Sequence, residues 1–286
     1  MPELPEVETV LRGLEPRAVG RRITGVEIIN RGVIIGDPVS FQKHLTGRLV
    51  AGLRRKGKAL AINLVANGAI HGDCLLVRLG MTGQVVVTRR DAPLLPHTHV
   101  RMILNRGAGE IRYRDSRRFG RLRYCTREEV EKVFESLGPD ALEMTEKQFR
   151  DSLHGRHGSI KAWLLNQQML AGLGNIYADE ALFEARIHPQ TPAGKATDRQ
   201  AGALLRAVRQ VLRQAVALQG TSFRDYVDIE GRPGNFLPRL RVYQKTGEPC
   251  VRCGAAIRRI IICGRSSHFC PRCQRRPRHR PVQIAS

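Results

Sequence analysis

The stretch Val100-Arg101-Met102-Ile103-Leu104-Asn105-Arg106-Gly107-Ala108-Gly109-Glu110-Ile111-Arg112-Tyr113-Arg114 decides the fold class of this 286-residue chain. Two runs rich in β-branched and aromatic residues flank Gly107-Ala108-Gly109, a turn signal that predicts a hairpin. Alternation places Arg101, Arg112 and Arg114 on one face. The same pattern recurs on both sides, at 26–29, 60–65, 75–79, 85–88 and 121–124, with Gly, Asn and Asp clusters between. Short strands so spaced predict a two-sheet antiparallel sandwich or barrel.

Beyond these strands the period changes to that of helices. Leu4-Pro5-Glu6-Val7 opens one: proline suits the first turn, Glu6 complements the dipole, and Val7, Val10, Leu11 and Leu14 make one apolar face. After Gly138-Pro139, helical stripes run over 160–170, 176–185 and 199–218, which puts a domain division near 126–140. Residues 220–239, broken by Gly220, Gly231, Pro233, Gly234 and Pro238, form an irregular loop too long to be a mere connection. With 48 Lys and Arg against 26 Asp and Glu, the net charge is +22, an excess that usually answers a polyanion. A 42% hydrophobic share excludes a disordered basic tail. No apolar run reaches the ~18 residues of a membrane span and no signal sequence opens the chain, so a cytoplasmic protein is expected.

The most specific motif is Cys250-x2-Cys253 followed by Cys270-x2-Cys273. Each pair can supply two thiolates from one tight turn, and together they make a closed tetrahedral zinc site that holds shape. The β-rich stretch before Gly264 suits a hairpin between the two knuckles. Its arginines, among them Arg258, Arg259 and Arg265, would face phosphate. Cys74, Cys125 and Cys263 fall outside the pattern and are expected in the core. At the other end, Pro2 followed by Glu3 is weak evidence alone. An exposed terminal proline, however, is a secondary amine with a pKa of about 7.7–8.0, able to attack an anomeric carbon and leave an iminium electron sink.

Taken together, these motifs resemble those of the bacterial formamidopyrimidine-DNA glycosylases. The resemblance runs through Met1-Pro2-Glu3-Leu4-Pro5-Glu6-Val7-Glu8, Arg54-Arg55-Lys56-Gly57-Lys58 and Leu79-Gly80-Met81-Thr82-Gly83. It continues through Asp115-Ser116-Arg117-Arg118-Phe119-Gly120 and Gly172-Leu173-Gly174-Asn175-Ile176-Tyr177-Ala178 to the four cysteines. It implies an α+β fold: an N-terminal β-sandwich with a leading helix (1–130), a helical domain with a helix-two-turn-helix and a base-recognition loop (131–240), and a zinc-ribbon hairpin with a basic tail (241–286). It also implies a monomer acting on double-stranded DNA in base excision repair, the duplex lying in a basic cleft between domains. One structural zinc and no redox or nucleotide cofactor would be needed.

Residue by residue, the resemblance implies that Pro2, freed of Met1, is the nucleophile and Glu3 a proton shuttle, with Lys58 a proton donor at the abasic site. Read alone, Lys58 is a solvated charge in a basic run. Met81, Arg117 and Phe119 would fill the hole left by an extruded nucleotide; alone, Met81 and Phe119 would be core. Asn175 reads as a helix N-cap beside a phosphate. His97, Arg156 and Lys161 match phosphate contacts, with His99 a rival to His97. Arg265 would grip phosphate and assist a second elimination. Thr221, Ser222 and Tyr226 are candidate base contacts. Departures are Arg78 in place of a common His, an enlarged hairpin at 66–74, and a basic extension at 274–286. Two other readings fit parts of the sequence. An endonuclease VIII-like enzyme for oxidised pyrimidines is disfavoured by Leu4 and by the separation of Met81 from Arg117. A non-catalytic DNA-binding protein leaves Pro2-Glu3 without a purpose.

Overall fold

Alternating apolar side chains in the first half of the chain build two sheets around one core. The computed structural model describes residues 2–66 and 72–276. The strands are β1 (Ile23–Ile28), β2 (Ile34–Ile35), β3 (Leu49–Lys56), β4 (Ala59–Val65), β5 (Cys74–Arg78), β6 (Gly83–Thr88), β7 (Thr98–Leu104), β8 (Glu110–Asp115) and β9 (Arg121–Cys125). They pair in the orders β1-β7-β8-β6 and β2-β9-β5-β4-β3. Among the described residues only the short β2–β9 pair is parallel. Leu60, Ile62 and Val77 from the second sheet meet Val100, Met102 and Ile111 from the first in one buried cluster. Val7, Val10 and Leu14 of α1 (Leu4–Ala18) join it. The sandwich expected from the sequence is present.

In the β7–β8 hairpin Arg101 stands opposite Arg112, as the alternation predicts. Glu110, fully buried, takes the Arg101 Nη2 at 2.8 Å and the Arg112 Nε, so one carboxylate offsets a like-charge cross-strand pair. Arg112 also donates at 2.7 Å to the Ala92 and Pro93 carbonyls, fastening the loop that leads to His97. Several elements escape sequence reading: β2 and β3 among the strands, and three short helices. β3 is an edge strand with a register shift near Val50, so it shows no clean alternation. α2 (Pro38–Leu45), capped by Asp37, is too short for a stripe. α3 (Arg127–Glu135) lies within the expected division, its Val130 and Phe134 packed with Cys74 and Cys125. Those two cysteines are core, as expected. Cys263 is not: it is exposed with φ +48° in a tight turn, where a small side chain suffices.

Two compact units result. One runs to Asp140 and includes Leu212–Pro238; the other comprises Ala141–Val211 and the chain from Arg239. The irregular 220–239 stretch is well anchored on the first unit. Tyr226 and Ile229 enter its core, and the Val87 N–H donates to the Ile229 carbonyl at 2.8 Å.

The second unit holds α4 (Glu146–Leu153), α5 (Ile160–Leu165), α6 (Asn175–Glu184), much of α7 (Asp198–Ala217) and the antiparallel hairpin β10 (Arg258–Ile262) and β11 (Arg265–Phe269). α5 stops before the expected 170 because Asn166 Oδ1 accepts the Gln168 N–H at 2.9 Å, a local alternative to the helix. The cap of α6 is Gly174, so Asn175 is the first helical residue and not the cap read from the sequence. Glu180 accepts the N–H groups of Arg241, Val242 and Tyr243 at 2.9–3.0 Å, fixing the chain as it approaches the hairpin. Burial raises its carboxyl pKa against those three bonds. Among the described residues no helix is long and apolar enough to cross a membrane.

Candidate active site and nucleic-acid interface

The start of α1 is held from two directions. The Glu3 N–H donates to Glu6 Oε2 at 2.7 Å, and Glu6 Oε1 accepts the Thr221 N–H at 2.8 Å. Pro2 and Glu3 are buried. One turn on, Glu8 accepts from Arg55 Nε and Arg12 Nε, both at 2.8 Å. Burial disfavours the Glu8 carboxylate, but the two guanidinium groups outweigh it and hold its pKa below the usual value. Arg55, in turn, reaches Asp140 Oδ2 with Nη1 at 2.6 Å. The same oxygen takes the Gly57 N–H at 2.9 Å. Gly57 has φ +56°, the left-handed geometry that lets β3 turn into β4 through Gly57 and Lys58. Thus an ion-paired chain, Glu8–Arg55–Asp140, links α1 to the turn carrying half-buried Lys58.

Strand register gathers the remaining expected residues of this unit at one rim. Ala59 pairs with Arg78, Arg78 with Arg121, Gly83 with Asp115 and Thr98 with Arg114. Lys58, Met81, His97, Arg117 and Phe119 flank those positions. Asp115 organises the rim: it accepts the Thr82 hydroxyl, the Gly120 N–H at 2.7 Å and the Arg117 N–H at 3.2 Å. A methyl built on Gly120 would lie 1.8 Å from Tyr113 Oη, so the two loops meet only because that residue has no side chain. Clamped this way, they expose Met81 by 37% and Phe119 by 53%, large values for apolar side chains. The Arg117 guanidinium sits over the Phe119 ring at 4.6 Å. His97 is exposed with φ +63°. His99 is buried against the Asp115 carbonyl at 2.8 Å, which assigns it to structure. Arg78 is exposed beside the Lys58 turn. The sequence gives no role to Asp115 or Asp140, whose partners are backbone N–H groups and side chains distant in the chain, and it reads Glu6 only as a complement to the helix dipole.

The irregular stretch differs from expectation. Tyr226 is buried with its hydroxyl 3.4 Å from the Glu6 carbonyl, so it is a core residue and not an open base contact. Thr221 is buried too, while Ser222 is half-buried and donates to the Tyr226 carbonyl at 2.6 Å. Phe223, Arg224 and Asp225 are exposed instead.

In the second unit, Arg156 and Arg265 are exposed and Asn175 is half-buried, its Oδ1 enclosed and without a hydrogen-bond partner. Lys161 is fully buried, its Nζ 2.6 Å from Asp179 Oδ1. Four sulfurs, Cys250, Cys253, Cys270 and Cys273, lie within 4.8 Å of one another. The separations Cys250–Cys273 and Cys253–Cys270 are 3.9 and 3.5 Å. A tetrahedron with Zn–S bonds near 2.3 Å needs about 3.8 Å between sulfurs, so the set fits a structural zinc ion. The Arg252 and Cys273 N–H groups each donate to a knuckle sulfur at 3.4 Å. Gln274, read from sequence as the start of a basic extension, is buried and binds the Cys270 N–H and Ile187 carbonyl. The rest of that extension from 277, and the core of the enlarged hairpin at 67–71, lie outside the described residues.

A sandwich rim that exposes Met81 and Phe119, joined in the chain to a helical unit and a four-cysteine hairpin, defines a DNA-repair type of architecture. Residues 1–122 match the N-terminal domain of formamidopyrimidine-DNA glycosylase, 137–227 its H2TH domain, and 247–276 a zinc finger found in that enzyme and in isoleucyl-tRNA synthetase. Curated relatives named formamidopyrimidine-DNA glycosylase include that of Solibacter usitatus, 44% identical over 96% of this chain and all of the relative. Another, from Moorella thermoacetica, is 46% identical over 91% of this chain and 94% of the relative. A crystal structure of a Lactococcus lactis relative bound to Fapy-dG-containing DNA superposes with a TM-score of 0.87. It has 36% identity and covers 96% of this chain and 100% of that one. The chain belongs to the formamidopyrimidine-DNA glycosylase family.

Proposed function

We propose that this chain is a bifunctional DNA glycosylase and AP lyase that removes oxidised purines from double-stranded DNA as a monomer in the cytoplasm, at the nucleoid. The observation that carries the reading is the rim itself: Lys58, an exposed Met–Arg–Phe wedge and the buried Pro2-Glu3 start of α1, all tied to one sandwich. Relatives solved with Fapy-dG and with carbocyclic 8-oxo-G DNA support the substrate class.

In this reading Met1 must first be removed, because with it attached the Pro2 nitrogen is a tertiary amide without a usable lone pair. The freed amine attacks C1′ of the everted nucleotide as the glycosidic bond breaks, and the base leaves with a proton. Glu3 shuttles that proton and the one needed to open the sugar ring. The resulting iminium withdraws electrons, so loss of the C2′ proton expels the 3′ phosphate; a second elimination, assisted by Arg265, expels the 5′ phosphate. Lys58 supplies protons at the abasic site. Met81, Arg117 and Phe119 occupy the vacated stack, offsetting an unstacking cost of a few kcal/mol. Arg117 faces the orphaned partner base. His97, Arg156 and Asn175 hold phosphates, and the exposed tip Phe223–Asp225, more than Thr221, Ser222 or Tyr226, meets the base. Zinc, held by the four cysteines, keeps the Arg265 hairpin folded.

Incubation with a duplex bearing 8-oxoguanine, followed by borohydride, is expected to trap a covalent adduct and to yield cut strands; no adduct would refute the proposal. A thymine glycol duplex in parallel measures the pyrimidine reading, which a Lactococcus lactis relative solved with an oxidised pyrimidine makes worth scoring. Faster excision of thymine glycol would favour it.

A further inference from the structure

We propose that Lys161 is a positioning residue for Arg265, acting through a buried ion pair on the zinc hairpin, and not a phosphate contact. The inference rests on the function above, in which Arg265 assists the second elimination. A phosphate contact needs an ammonium at the surface, and the Lys161 side chain, like that of Asp179, is 0% exposed.

What the pair does instead can be read atom by atom. Lys161 Nζ donates to Asp179 Oδ1 at 2.6 Å and to the Ser266 carbonyl at 2.7 Å. Asp179 Oδ2 accepts the His268 N–H at 2.9 Å and lies 3.0 Å from its ring Nδ1. Ser266 and His268 are alternate residues of β11, so their backbone groups point from the same edge. To that edge Lys161 offers a donor and Asp179 an acceptor, as a neighbouring strand would. Among the described residues β11 pairs with no strand but β10, and the ion pair takes the place of a second partner.

The consequence falls on Arg265. It is the first residue of β11, adjacent to the carbonyl Lys161 holds, and its own side chain is exposed. Burying two charges is expensive, and an apolar pair would join α5 to α6 as firmly. Only a charged pair also makes directed bonds to two chosen atoms of β11, which fixes its register and therefore where Arg265 points.

The test uses zinc-loaded protein and an abasic-site duplex in single turnover, reading the ratio of δ- to β-elimination product, with zinc content measured for each variant. Lys161→Arg is expected to lower that ratio by roughly 10- to 100-fold, the scale of a small misplacement, while retaining one zinc. Its effect should vanish in an Arg265→Ala background. At a surface phosphate contact, arginine would replace lysine and leave the ratio unchanged. Asp179→Asn provides a second arm should Lys161→Arg fail to fold. It removes no phosphate contact, yet is expected to shift the ratio in the same direction. Unchanged ratios, or effects additive with Arg265→Ala, overturn the positioning claim alone. A wild-type protein that cuts no strand overturns the function and the claim together.

Discussion

The Glu8–Arg55–Asp140 chain gives the most quantitative prediction. The Arg55 and Asp140 side chains are only 8% and 4% exposed, and they meet at 2.6 Å. Arg55→Met keeps most of the volume but leaves Asp140 with the Gly57 N–H as its remaining contact from this turn. Removing one partner of a buried pair typically costs about 3–5 kcal/mol, because the other charge stays desolvated. Glu8, 15% exposed and still bonded to Arg12, adds less. A urea titration should therefore show a loss near 3 kcal/mol, or about 10 °C in Tm. The double variant Arg55→Met, Asp140→Leu separates energy from geometry. With no stranded charge it should recover to within about 1 kcal/mol of wild type. The Gly57 N–H then lacks its acceptor and the Lys58 turn its anchor, so the borohydride-trapping rate should stay depressed by roughly 10-fold or more. A single variant costing under about 1 kcal/mol, or a double variant recovering both stability and rate, would refute the reasoning.

Three further outcomes are expected. Gly120→Ala places a methyl 1.8 Å from buried Tyr113 Oη and 2.7 Å from the Arg78 carbonyl. Calorimetry should show a loss of about 1–3 kcal/mol or more, and 2-aminopurine opposite the lesion should report poorer wedge insertion. Chelation should release one zinc and make four further thiols reactive to a disulfide reagent, Cys263 alone of the seven being exposed beforehand; fewer than four would contradict the shared site. Because the Glu8 pKa is lowered in the fold from 4.5, its stabilising contribution is present above that pH and lost as pH falls through the folded value. The stability gap between wild type and Glu8→Gln should accordingly close on acidification below pH 4.5; a gap that widens would reverse the sign.

How much of this was legible in the sequence follows from where the causes lie. The seven strands read from β-branched runs are present because each sends side chains into the sandwich core, β4 and β5 being buried on both faces. β3 hides because the register shift near Val50 breaks the alternation of its core side chains Val50 and Leu53, and Arg54, Arg55 and Lys56 end it with charge. The four cysteines are legible because a metal dictates ligand type and spacing. Tyr226 misleads because an aromatic in a glycine-broken stretch looks available, whereas its ring enters the sandwich core and its hydroxyl reaches the Glu6 carbonyl. Lys161 misleads in the same way: a lysine in a basic chain looks solvated until tertiary packing encloses it with Asp179. The roles of Asp115 and Asp140 were not legible, since their partners are backbone N–H groups and distant side chains that only the fold brings near.

The proposed chemistry stands or falls on which nitrogen bonds to the sugar. Borohydride reduction on a lesion duplex, then nuclease and trypsin digestion and peptide mass measurement, locates that bond. A reduced deoxyribose remnant is expected on the peptide from Pro2 to Arg12 of the Met-trimmed protein. A remnant on a lysine-containing peptide, with the amino-terminal one unmodified, would contradict it.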